Sequence, residues 1–249
     1  MNFPTTRWSL LAQASADGGV QARKALEELC GRYWGPIHQF LRARQISDPE
    51  AQDLTQDFMM HLLQKSLFER ADPLRGRFRS FLLGALVRFL AGATIKRTAL
   101  KREGTRSHYS VEEVGSESLP EFFCEPEAAR VFDREWALTI LESALERVRL
   151  EYAQQGRVEV FAVLRQFLPD SAESQSYRQA GRQLGMALGT VKSEVHRLRR
   201  RLHALVREAV AETVSTPHEL EEEMAHLQRV LMERSVEFAR AVQLGVADS

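Results

Sequence analysis

The residues best suited to recognising another molecule lie in a basic stretch near the C-terminus, Gly181–Leu202, which reads GRQLGMALGTVKSEVHRLRRRL. We interpret it as a helix, a tight turn at Gly185 and a second helix. The cations and the histidine of the second segment are Lys192, His196, Arg197, Arg199, Arg200 and Arg201. A glycine turn between two short helices, the second of them basic, is typical of a helix-turn-helix that docks in the major groove of DNA.

A second candidate surface lies on a predicted helix, Glu50–Lys65, whose start is marked by Ser47, Asp48 and Pro49. Its apolar stripe consists of Ala51, Leu54, Phe58 and Leu62. The opposite stripe consists of Asp53, Asp57, Met60 and Gln64, flanked by Gln52 and Gln56. Like charges one helical turn apart destabilise an isolated helix by roughly 0.2–0.5 kcal/mol. Periodicity leaves two interpretations open, a solvated acidic face and a surface that receives a cationic partner.

Arginines and aromatic residues are interleaved in a third stretch, where a loop from Ala71 leads into a helix predicted over Arg77–Arg97. The cations available for its outer surface are Arg75, Arg77, Arg79, Arg88, Lys96 and Arg97. Such a mixture suits single-stranded nucleic acid, whose bases stack on aromatic rings and whose phosphates pair with cations. The alternative is that Phe78 and Phe81 are ordinary core residues, as most aromatic residues on helices are.

Composition and charge predict the organisation of the 249-residue chain. Apolar residues recur at spacings of three and four, which favours an all-α fold. The net charge is zero, but cations dominate residues 70–106 and 178–207, and acids dominate residues 112–135. Two basic blocks separated by an acidic segment indicate two contacts with a polyanion. We therefore predict two small helical domains, the second containing the helix-turn-helix, with these bounds: first domain 1–100, flexible acidic linker 101–126, second domain 127–214, helical extension 215–249.

Several functional classes are not expected. There is no apolar run long enough to span a membrane and no signal-peptide region, so we expect a cytoplasmic protein without membrane insertion. Cys30 and Cys124 form no metal-spaced pair and are expected to be reduced thiols. The nucleotide-binding and hydrolase motifs are absent. We therefore expect no enzymatic activity, no metal and no cofactor.

Three segments together resemble bacterial RNA polymerase sigma factors. Asp48–Leu63, DPEAQDLTQDFMMHLL, resembles their polymerase-binding helix, and Pro73–Arg97 resembles the part that melts the promoter and reads the −10 element. Ser176–Leu202 resembles their −35-reading helix-turn-helix. The order of these segments and the acidic linker are similar to the two-domain extracytoplasmic-function (ECF) group, with a tail added after Pro217.

The resemblance implies a partner for each segment. Core RNA polymerase, through its β′ and β subunits, and promoter DNA are the implied partners, and an anti-sigma factor is a further candidate. The implied polymerase-binding residues are Asp53, Gln56, Asp57 and Met60. The implied −10 contacts are Arg75, Arg77, Phe78, Arg79, Phe81, Arg88, Lys96 and Arg97. The implied −35 contacts are Thr190, Lys192, Ser193, His196, Arg197 and Arg200. Glu194 departs from the family, which usually has a basic or small residue there.

Two other functions remain open on the sequence. One is a helix-turn-helix regulator that binds duplex DNA without docking on polymerase, and it would need neither the acidic helix nor Phe78 and Phe81. The other is an all-helical interaction protein with a decayed DNA reader, against which the dense arginines of Arg197–Arg201 argue. The extension after Pro217 is expected to cap the second domain, with a regulatory role as the alternative.

Overall fold

The computed structural model describes residues 20–64, 77–102, 126–168 and 176–246, with side chains described for 30–62, 77–92, 126–168 and 176–233. Within these ranges the chain forms eight α-helices and no strand, which confirms the all-α class. The helices are α1 (Val20–Ala43), α2 (Asp48–Gln64), α3 (Phe78–Arg102), α4 (Pro126–Gln154), α5 (Val158–Arg165), α6 (Tyr177–Leu184), α7 (Leu188–Ala211) and α8 (Pro217–Val246). The sequence also predicts a short helix over residues 5–16; this segment and most of the predicted linker lie outside the described residues.

The sequence around Pro36 predicts a kink or a restart of the helix, but α1 continues through this residue. Proline removes one backbone donor and crowds the preceding turn. The residues around it are buried, with Tyr33 1% exposed and Ile37 and Phe40 fully buried. Since most helical stability in proteins comes from packing of the apolar face, this burial holds the helix together across the proline.

The described residues form two compact units, and the first comprises those up to Trp136 together with Glu212–Glu219. Its core is aromatic. The ring of Tyr33 lies 5.3 Å from that of Phe78 and 6.5 Å from that of Phe132, centroid to centroid. The first turns of α4, which the sequence assigns to the second domain, therefore pack against α1 and α3. Such ring pairs add about 0.5–1.5 kcal/mol each beyond the burial of their area.

The second unit comprises Ala137–Ala211 and the described residues from Leu220 onward. Helix α7 supplies much of its core, with Val191, Val195 and Leu198 almost fully buried at helical spacing. Helix α8 also contributes apolar residues at helical spacing, since Leu220, Met224 and Leu227 are all buried.

The start of α8 is determined locally by a capping box. The backbone N–H of Glu219 donates to Thr216 Oγ1 (3.2 Å), and the backbone N–H of Thr216 donates to Glu219 Oε2 (3.1 Å). Pro217 occupies the first helical position, where its missing donor is not needed. A new helix therefore begins at Pro217. Nowhere in the described ranges does a helix have both the length and the apolar character needed to cross a membrane.

Candidate nucleic-acid and protein interfaces

Helices α6 and α7 are joined by a turn whose geometry is set by its own sequence. Ser176 caps α6, its Oγ accepting from the backbone N–H of Gln179 (3.2 Å). At the other end Gly185 adopts a left-handed conformation with φ 64°, which glycine reaches without steric cost. The backbone N–H of Met186 donates to Gly181 O (2.8 Å) and that of Gly185 to Arg182 O (3.4 Å). These two bonds form a Schellman motif, which reverses the chain between the helices.

Gly181 permits the close approach of this turn. A Cβ atom at this position would lie 2.7 Å from the carbonyl oxygen of Met186, a backbone atom that cannot move without opening the turn. We therefore expect Gly181→Ala to destabilise the second unit by about 2 kcal/mol, in the range of other overpacking substitutions. Thermal unfolding of the full chain, followed by circular dichroism, measures the effect. Gly189→Ala is the matched control, because its Cβ would meet nothing within 4 Å. Equal melting temperatures for the two variants would contradict the steric argument.

Helix α7 separates a buried side from an exposed side. The six residues implied to contact duplex DNA are all exposed: Thr190, Lys192, Ser193, His196, Arg197 and Arg200. Lys192, His196 and Arg200 follow each other at intervals of four and so share one face of the helix. None of these three has an ion pair with another described side chain. This stripe spans about 12 Å along the helix axis.

The remaining arginines of α7 are engaged within the protein. Arg199 Nη2 donates to the carbonyl oxygen of Phe167 (2.5 Å), and Arg201 pairs with Glu151 of α4 through two hydrogen bonds (2.5 and 2.8 Å). The hydrogen bond from Arg201 lowers the pKa of Glu151. Arg197 pairs with Glu194 one turn earlier. Charge density along α7 therefore overstates the number of cations that are available to a ligand.

Arg157 and Glu194 form an interaction that sequence analysis missed. Arg157 Nη2 donates to Glu194 Oε2 (2.9 Å), and the guanidinium lies over the ring of Tyr152, 5.2 Å from its centroid. Burial, and after it the charge of Glu194, raise the pKa of Tyr152. Gly156, with φ 69°, gives the only local signal, since it marks the end of α4 just before Arg157. The 37 residues between the partners hide the pair from any local pattern.

On α2 the implied polymerase-binding residues form an exposed surface. Asp53, Gln56 and Asp57 are all exposed, and the side chain of Met60 is 47% exposed among them. Ala51, Phe58 and Leu62 on the opposite side are fully buried. Unlike Asp48, which lies within ion-pair distance of His38 and Arg42, neither Asp53 nor Asp57 has an ion pair with another described side chain. The acidic pair is therefore presented to solvent.

At the start of α3, two of the implied −10 residues are buried. Phe78 is 1% exposed and packs against Tyr33, and its backbone N–H donates to Thr213 O (3.4 Å). Arg79 is 7% exposed, pairs with Asp133 of α4 and lies over the ring of Trp136, 5.1 Å from its centroid. Both side chains are thus part of the first unit's interior. In this conformation neither side chain is exposed to a base or a phosphate, and their part in −10 recognition stays a prediction.

Of the other implied −10 residues, some stay accessible and some are outside the described part of the chain. Arg88 is exposed and its Nε donates to Gly84 O (3.2 Å). Arg77 and Phe81 are half-buried. Arg75 lies outside the described residues, and the side chains of Lys96 and Arg97 are not described.

No protein-family model, no curated protein and no solved structure matches the chain. Among the side chains that the structure describes, no group of three or more His, Cys, Asp or Glu residues is placed to hold a metal ion. The functional argument therefore rests on the two exposed charged surfaces, the acidic one on α2 and the basic one on α7.

Proposed function

We propose that this chain is a bacterial RNA polymerase sigma factor of the ECF type, which directs core polymerase to specific promoters. The observation that carries the proposal is the pairing of two exposed surfaces of opposite charge on one chain. The acidic stripe at Asp53 and Asp57 suits a cationic protein surface. The Lys192–Arg200 stripe follows a glycine turn between two helices and suits the major groove of DNA.

In this proposal α2 docks on the basic surface of the polymerase β′ subunit. The like-charge repulsion between Asp53 and Asp57 is then offset by the partner's cations, and Met60 adds an apolar contact in the middle of the polar face. A carboxylate surface of this kind contributes mainly to the rate of encounter and to the choice of partner, because electrostatic complementarity steers association.

In the same proposal α6 and α7 form a helix-turn-helix that reads the −35 element. The basic stripe is about as long as the major groove is wide, roughly 12 Å. Arg200 and Lys192 can donate to guanine, and each good bidentate contact discriminates between bases by about 1–3 kcal/mol. Arg178 and Arg182 of α6 are exposed and suit phosphate contacts, which set position and not sequence. Among the described side chains Arg77, Phe81 and Arg88 remain candidates for the −10 region.

Run-off transcription with purified core polymerase on genomic fragments tests the proposal directly. We expect discrete transcripts that depend on the added protein, and we expect the protein to bind core polymerase without DNA. In this proposal the chain itself catalyses no reaction, because the polymerase contains the catalytic site. Transcription takes place in the bacterial cytoplasm. Absence of both transcripts and core binding would rule out a sigma factor.

A second candidate is a regulator that binds duplex DNA and never joins polymerase. The burial of Phe78 and Arg79 favours it, since it removes two of the contacts that a strand-capturing factor would use. The same experiment separates the two functions. The regulator should retard duplex DNA in a gel-shift assay while failing to bind core polymerase.

A further inference from the structure

Glu194 lies in the part of α7 that carries the exposed basic stripe, yet its side chain is only 9% exposed. Both of its carboxylate oxygens lie against arginines. Oε2 accepts a hydrogen bond from Arg157 Nη2 (2.9 Å), and Oε1 forms an ion pair with Arg197 Nη2 (2.8 Å). The carboxylate is therefore shared between Arg157 at the end of α4 and Arg197 on the exposed side of α7.

The two arginines differ in freedom. The backbone of Arg157 is held by a Schellman motif at the end of α4, in which its N–H donates to Tyr152 O (2.8 Å). Its guanidinium also lies over the Tyr152 ring, and its side chain is 32% exposed. Arg197, by contrast, has a side chain that is 65% exposed. The fixed member of the group is therefore Arg157, and the one that can reach a ligand is Arg197.

Packing alone does not explain a carboxylate here. A buried ion pair is often no more stabilising than apolar side chains of similar volume, because desolvation of the charges offsets their attraction. The carboxylate does have a consequence on the exposed face. It lies 2.8 Å from Nη2 of Arg197 and offsets the charge of that guanidinium, whose five N–H donors leave capacity for a second partner.

We propose that Glu194 is a positioning residue that sets the DNA specificity of α7 by holding Arg197. This inference rests on the proposed DNA binding by α7. Because Glu194 offsets its charge, Arg197 gains little free energy from pairing with a phosphate. In this proposal the ion pair instead holds the guanidinium in one orientation, from which it can donate to a base edge. Glu194 thereby lowers the affinity for non-specific DNA and raises the ratio of specific to non-specific binding, which is the quantity that matters in a genome.

The test is the salt dependence of binding to a generic duplex, measured for the full chain by fluorescence anisotropy. Glu194→Gln releases Arg197 to pair with a phosphate. We expect tighter binding to this duplex and a slope of log K against log salt that is steeper by about 0.9, the value for one additional phosphate contact. Glu194→Met should give the same change if the glutamine variant fails to fold, as judged by thermal unfolding.

Two controls make the assignment specific. Glu221→Gln makes the same change in charge and releases Arg207 of α7 from an ion pair (2.5 Å), but at a distance of about 15 Å along the helix from Arg197. It should leave the slope near that of the wild type. In an Arg197→Gln background, Glu194→Gln should no longer steepen the slope.

The outcomes are distinguishable. A wild-type chain that binds no duplex would overturn both the proposed function and this inference. If the wild type binds duplex DNA but its salt slope equals that of Glu194→Gln, the inference alone is overturned and the proposed function is not. Persistence of the steeper slope without Arg197 would also overturn it, because the effect would then come from another cation.

Discussion

Exchanging Asp53 and Asp57 for lysine should weaken binding of core RNA polymerase by at least about a hundredfold and abolish promoter-dependent transcription. The exchange replaces two attractions with two repulsions at one surface, and juxtaposed like charges cost several kcal/mol. A hundredfold loss corresponds to about 2.8 kcal/mol. Both side chains are exposed, with no ion pair to another described side chain, so the fold of α2 should be unaffected. Pull-down of core polymerase and run-off transcription measure the two effects.

The control for this experiment is Glu142→Lys/Glu146→Lys on α4. These acids are also exposed and also four residues apart, so the variant has the same net charge and the same spacing. Its one structural cost is the loss of the exposed Glu146–Arg149 pair, and exposed pairs of this kind contribute little. Polymerase binding that is equally reduced in both variants would show a general charge effect and would remove α2 as the docking surface.

Arg79→Met should destabilise the first unit by about 3–5 kcal/mol, the usual result of removing one member of a buried ion pair. The substitution leaves Asp133, whose side chain is 20% exposed, without the guanidinium, and it removes the contact with the ring of Trp136. Chemical denaturation of the full chain measures the loss.

A second substitution distinguishes this structural role from a DNA contact. Arg79→Met/Asp133→Leu replaces both charges with apolar side chains and should recover most of the lost stability. If Arg79 instead contacts an opened promoter strand, the single variant will melt like the wild type and will lose transcription selectively. That result would return Arg79 to the −10 surface and contradict the burial argument.

The sequence alone determined the helical class and most helix positions, because both depend on interactions between near neighbours. Apolar spacing, the turn at Gly185 and the Thr216–Glu219 capping box all act within a few residues. The exposed face of α2 was predictable for the same reason. Once Ala51, Phe58 and Leu62 define the buried side, Asp53 and Asp57 must lie on the other.

Tertiary structure decided which charged side chains are available, because their partners are remote in sequence. Arg79 meets Asp133 across 54 residues, and Arg201 meets Glu151 across 50. On α3 two adjacent residues, Phe78 and Arg79, are both buried, which no single apolar stripe predicts. The first turns of α4 cover this part of α3, and the sequence had assigned those turns to another domain.

The arginines of α7 illustrate the same division. Their number and spacing are visible in the sequence and indicate a surface for a polyanion. Which of them a ligand can reach depends on Glu194, Glu151 and the carbonyl oxygen of Phe167, whose positions follow from the packing of α4 and α5 against α7. A long cationic side chain can lie along several neighbouring surfaces, so only the assembled unit determines which of the arginines remain accessible to a ligand.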